Sequence, residues 1–171
     1  ALAACFLGML ACGHIAWTLV GEKARVPVMW AVGIALSIAQ IEGFIANAEL
    51  LSCAVGVAGC AAILLACWSR STPDLRLMFI GGVVAGCAVT LKQSGFDATV
   101  AACAAVLIAA FHEKWGMRNV LRAIVAIGAG VAVPVGIVLL HASLTGFHDW
   151  WYAVAGVRIE HASALASADW P

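Results

Sequence analysis

Lys92 is the residue in this chain with the clearest capacity for chemistry. It stands in the stretch Thr90-Leu91-Lys92-Gln93-Ser94-Gly95-Phe96-Asp97, a polar interruption between two apolar runs, with the donors of Gln93 and Ser94 beside it. Its ammonium group can snorkel to lipid headgroups. It can equally meet an anion, whether Glu42, Glu49, Asp97 or a phosphate on a ligand, because lysine binds phosphate as a point charge and needs no fixed geometry. Gly95 permits a tight turn before Phe96. Glu49 is the second candidate: it directly precedes an apolar run and so occupies a first helical turn, where the helix dipole favours an anion, with Asn47 placed to cap that turn.

Other residues of reactive type read as structural. Cys5, Cys12, Cys53, Cys60, Cys67, Cys87 and Cys103 all lie inside apolar runs and behave as small hydrophobes. Cys53, Cys60 and Cys67 recur every seven residues and share one helix face suited to close helix approach. Successive members are ~10 Å apart along a helix and no histidine or carboxylate flanks them, so they form no metal site. No metal ligand set is identifiable anywhere in the chain, and a divalent metal cofactor is left open. His14, inside the first apolar run, is expected to hydrogen-bond a neighbouring helix. His141, His148, Asp149, Trp150, Trp151 and Tyr152 gather where an interfacial anchor is expected; adjacent residues such as His148 and Asp149 seldom converge on one reacting atom.

The elements that position these residues follow from the solvent. With 64% hydrophobic and 11% charged residues and a mean hydropathy of +1.04, the chain has too little polar surface to cover a water-soluble globule. Net charge is zero and no basic block appears, which excludes a nucleic-acid partner. The first residues carry no charged leader pattern, so no signal peptide is expected, and the chain reads as an excerpt of a longer protein.

A bilayer-spanning helix needs about 20 mostly apolar residues, somewhat fewer when neighbours and snorkelling ends help. Six runs qualify: 1–20, about 26–41 with Pro27 in its first turn, a third from Glu49 to Trp68, about 75–91, 96–111, and 123–141 with Pro134 inside. Gly21 to Arg25 and His112 to Arg122 are expected as loops. Gly82 and Gly86 form a small-xxx-small pair, a packing surface. The fold expected is an all-α polytopic transmembrane bundle of about six spans over 1–146, followed over 147–171 by an interfacial aromatic segment and the start of an outer loop.

Seven cations (Lys23, Arg25, Arg70, Arg76, Lys114, Arg118 and Arg122) follow the first, third and fifth runs, against two, Lys92 and Arg158, on the opposite side. By the positive-inside rule the seven are cytoplasmic and both chain ends extracytoplasmic. Lys92 then stands against the trend at an outer helix end.

The run Gly43-Phe44-Ile45-Ala46-Asn47-Ala48-Glu49-Leu50-Leu51, a span, an arginine-containing loop, and Gly81-Gly82-Val83-Val84-Ala85-Gly86 leading into Leu91-Lys92-Gln93-Ser94-Gly95 together resemble the polyprenyl-phosphate-dependent membrane glycosyltransferases of the GT-C superfamily. The likeness is to bacterial relatives of the dolichyl-phosphate-mannose protein mannosyltransferases. It extends from about Ala1 to Trp151 in the order and spacing of spans. It implies a bacterial plasma-membrane enzyme moving a sugar, on the extracytoplasmic side, from a lipid-linked donor to a glycan, lipid or protein acceptor. It implies donor-phosphate binding for Lys92 and Gln93, and a substrate-binding or orienting role for Asn47 and Glu49. The family's catalytic acid lies in an outer loop upstream of the span matched by 1–20, so no carboxylate here is assigned as catalytic. The rival readings are a polytopic transporter, which needs ionisable groups near the bilayer midplane, and a non-catalytic membrane scaffold.

Overall fold

The structure, a computed structural model, describes residues 2–37, 48–92, 95–157 and 159, and every regular element among them is helical. In chain order these are α1 (Leu2–Val20), α2 (Glu22–Ser37), α3 (Ala48–Cys67), α4 (Leu75–Leu91), α5 (Phe96–His112), α6 (Met117–Thr145), α7 (Phe147–Trp151) and a π-helical turn, Tyr152–Gly156. Three of them, α1, α3 and α6, are long and apolar enough to cross a membrane, while α4 and α5 are shorter apolar helices. Large apolar side chains such as Leu2, Trp30, Phe111 and Leu144 stand exposed. Helices that are apolar all round yet uncovered by protein belong in lipid, and these features point to a membrane protein.

Three boundaries differ from the sequence expectation by more than a residue: the start of α2 and both ends of α6, which runs to Thr145 rather than 141. Helix α2 begins at Glu22, so Gly21 to Arg25 is not a loop and Pro27 lies inside the helix rather than in its first turn. The reason is Gly21: its φ of 115° is a conformation that glycine adopts freely, and one residue suffices to end α1 and start the next helix. The Gly21 N–H donates to the Trp17 carbonyl at 2.9 Å, and the Gly21 carbonyl accepts from the Ala24 N–H at 3.0 Å. A Cβ on Gly13 would meet Met29, and one on Gly33 would meet Met9. Contacts that move apart symmetrically about residue 21 define an antiparallel hairpin. Likewise α6 starts at Met117 rather than 123, which puts Arg118 and Arg122 on its first turns instead of in a loop.

Small residues set the packing of the other helices. A Cβ on Gly59 would lie 2.7 Å from the Ala85 backbone nitrogen, and one on Gly81 would lie 2.6 Å from the Ile63 side chain, so α3 and α4 run antiparallel in near-backbone contact. Gly82 faces Ile127 and Gly86 faces Val131 and Pro134, which makes the expected Gly82/Gly86 surface the seam between α4 and α6. Ile63, Cys67, Met78, Val106 and Ile127, each fully buried, fill the core where these helices and α5 meet.

One end of this assembly is pinned by polar contacts. Trp115 Nε1–H donates to the Arg70 carbonyl at 2.8 Å, the Trp68 and His112 rings stack at 6.0 Å, and Asp74 caps α4 by accepting from the Arg76 and Leu77 backbone N–H groups, both at 3.1 Å. Asp74→Ala is expected to lower stability by about 1 kcal/mol in thermal or denaturant unfolding, with Asp74→Asn close to wild type. An unaltered midpoint in the alanine variant would show that the cap contributes nothing.

His14 is expected to hydrogen-bond a neighbouring helix, but its Nε2 is buried without a hydrogen-bond partner among the described residues. The ring instead meets Trp17 edge-on at 5.2 Å, and Trp17 in turn lies under Arg25 at 5.7 Å. The helix's own periodicity explains this, since Trp17 is one turn from His14 and offers the imidazole a π surface in place of an acceptor. By contacts the chain divides into two units, Ala1–Val135 and Gly136–Pro171. Within the second, Gly146 with φ of 133° separates α6 from the aromatic α7, where the Phe147 and Trp150 rings lie 5.6 Å apart.

Candidate functional site

The turn between α4 and α5 is built around one carbonyl. Ala88 O, near the end of α4, accepts from the Lys92 N–H at 3.1 Å and from Ser52 Oγ–H of α3 at 2.9 Å. Ser52 is only 2% exposed, so this bond satisfies a hydroxyl that would otherwise be costly to bury. The chain then turns back, with the Gly95 N–H donating to the Lys92 carbonyl at 2.9 Å. A Cβ on Gly95 would lie 2.3 Å from Ala88 O and 2.6 Å from Ser52 Oγ. Only glycine lets α5 start this close to α4 and α3.

That clamp fixes where the Lys92 ammonium can reach. Lys92 Nζ donates to Glu49 Oε1, pairing the end of α4 with the first turn of α3. Both charges are placed with the dipoles of their helices, the cation at a C-terminus and the anion at an N-terminus. The side chains are 28% and 68% exposed, respectively, so the pair is partly solvated and worth at most about 1 kcal/mol to stability. Of the two carboxylates open to Lys92 among the described residues, Glu49 and Asp97, it is Glu49 that forms the ion pair. Asp97 stands in the first turn of α5.

Glu49 and Asp97 both line a groove of about 440 Å³ between α3 and α5, whose apolar walls include Gly56, Val57, Ala98 and Ala101. The groove exists because these residues are small. The size is that of ligand pockets generally. Cys53 and Cys60 also line it, with Cys60 Sγ–H donating to the Ala98 carbonyl at 3.0 Å, while Cys67 is buried in the core. Cys53 and Cys60 therefore mark the groove side of α3, and among the described residues no group of histidine, cysteine and carboxylate side chains could hold a metal ion.

Asn47 and Gln93, together with Glu42, Ser94, Arg158, Glu160 and Asp169, lie outside the described residues. Lys92 and Glu49 are brought together; Ser52 and its bond to Ala88 went unread in the sequence. The available signal was a lone serine one turn after Glu49, on the same helix face in an otherwise apolar run. No protein-family model, curated protein or solved structure matches the chain.

Proposed function

We propose that the chain is the membrane-embedded part of a glycosyltransferase that takes a sugar from a polyprenyl-phosphate donor and passes it to an acceptor on the extracytoplasmic side of a bacterial plasma membrane. The observation that carries this reading is an apolar groove lined by two carboxylates, Glu49 and Asp97, the first of which is paired with Lys92. Such a groove suits a prenyl chain, and the charged groups suit a phosphate and sugar hydroxyls. Lysine has three donors, so Lys92 can keep Glu49 on one and offer another to a phosphate oxygen. Charge developing on the departing phosphate is stabilised more by a cation at a partly dehydrated membrane edge than by one in bulk water. Glu49 then orients the ammonium or contacts sugar hydroxyls, and the general base belongs to another part of the protein.

In this reading α1 to α6 are six spans, with the seven cations at or beside the alternate helix junctions in the cytoplasm. Helices α4 and α5, each of 17 residues, rise about 25 Å, short of a hydrocarbon core about 30 Å thick, and local thinning or snorkelling makes up the difference. His14, whose Nε2 is buried without a hydrogen-bond partner among the described residues, is the feature a transporter would use. It is a single such group among the described residues, whereas Lys92, Glu49 and Asp97 all stand at helix ends.

The test is transfer by the full-length protein in proteoliposomes, using radiolabelled polyprenyl-phosphate sugars with membrane acceptors. Label is expected to move from the lipid-linked donor to an acceptor. Retention of all label on every donor tried, with the protein correctly inserted, would overturn the reading.

A further inference from the structure

A second cleft lies away from this groove, where Leu75, the first residue of α4, meets the beginning of α6. Arg118 and Arg122 line it together with Leu121, Val125 and Ala129, and no carboxylate does. Its volume is about 400 Å³. Neither arginine has an ion-pair or hydrogen-bond partner among the described residues.

The arrangement is unfavourable as it stands. Two like charges four residues apart on a helix repel each other. They also sit on the first turns of α6, where the dipole is positive and where no acidic residue is present. An anion between the guanidiniums offsets both penalties at once, and guanidinium is the side chain whose planar fork matches phosphate. The rest of the cleft is apolar and continues along α6 through Val125 to Ala129. A free phosphate has no use for that wall, whereas an acyl chain does.

We infer that the cleft formed by Leu75 and the start of α6 is a binding site for an anionic glycerophospholipid of the surrounding bilayer. The phosphate lies between Arg118 and Arg122, and an acyl chain lies against Val125 and Ala129. Basic pockets between membrane helices recognise anionic headgroups in this way. The inference rests on membrane residence alone and is independent of the glycosyltransferase reading.

The experiment titrates the full-length protein, in neutral detergent micelles, with tail-labelled dioleoylphosphatidylglycerol or dioleoylphosphatidylcholine. Phosphatidylglycerol is expected to bind in preference. Removing one arginine (R118Q or R122Q) is expected to weaken it about 5-fold and removing both about 30-fold, from the contribution of each basic residue near a charged membrane surface. Val125→Trp, which keeps both arginines and fills the apolar wall, is expected to weaken phosphatidylglycerol as well. It carries the test if the double arginine variant fails to elute as wild type. The K23Q/R25Q pair, removing equal charge elsewhere, is expected to leave binding unchanged, and inorganic phosphate at the lipid's concentration is expected not to compete. Equal binding of the two lipids, an equal loss in K23Q/R25Q, full binding in Val125→Trp, or displacement by phosphate would each overturn the inference.

Discussion

Lys92→Ala in the full-length protein is expected, on the proposed transferase function, to lower sugar transfer by about 10²- to 10³-fold, the loss found when one preorganised partner of developing negative charge is removed. Insertion and folding are expected to persist. The pair with Glu49 decides how this result is interpreted. Because Glu49 is 68% exposed and Lys92 is 28% exposed, breaking the pair costs at most about 1 kcal/mol of stability. A loss in turnover of 10² therefore exceeds anything the broken pair does to folding. The backbone of the turn is held independently, by Ser52 Oγ–H on Ala88 O and by the Gly95 N–H on Lys92 O, and neither bond uses the lysine side chain. Glu49→Gln separates the roles further: it leaves the ammonium in place and is expected to cost less transfer than Lys92→Ala. If Lys92 serves only as a structural partner of Glu49, the two variants behave alike, and unchanged transfer by Lys92→Ala would remove the residue from the mechanism.

Gly82→Leu is expected to destabilise the helical assembly by about 3 kcal/mol or more, at the upper end of overpacking penalties. A Cβ at this position would lie 2.4 Å from the Ile127 carbonyl oxygen and 3.1 Å from its Cα. Those are backbone atoms of α6, so relief requires α4 and α6 to separate rather than a side chain to rotate. The control is Gly128→Leu on α6, where a Cβ would meet nothing within 4 Å; it is expected within about 0.5 kcal/mol of wild type. Both substitutions add the same apolar side chain to an apolar helix, so hydrophobicity and helix propensity cancel in the comparison. Equal unfolding midpoints for the two variants in a detergent-based titration would mean that the close approach of α4 and α6 does not hold the assembly together.

The helices were largely legible because apolar runs broken by charge and proline set their limits. The bounds expected for α4 and α5 agree with those observed to within a residue. The errors fell where charge sits on a helix rather than between helices. Glu22, Lys23 and Arg25, like Arg118 and Arg122, read as loop residues by polarity, yet they are good helix formers and extend α2 and α6 beyond the apolar stretch. Hydropathy marks where a helix can be buried in lipid, and the hydrogen-bonded helix continues past that limit until a residue such as Gly21 ends it.

At the candidate site, the sequence by itself determined that the solvent is apolar and that Lys92, Glu49 and Asp97 fall at the ends of apolar runs. Their charges cannot be buried in the middle of a run, and this depends only on local composition. Only the tertiary structure decided that Glu49, 43 residues away from Lys92, is its partner, and that Ser52 and Gly95 meet on a single carbonyl beside the pair. Antiparallel packing of α3 on α4 brings the beginning of one helix to the end of the other. That packing follows from small residues meeting backbone at Gly59 and Gly81, and the composition of either run alone does not specify which helix the other will meet.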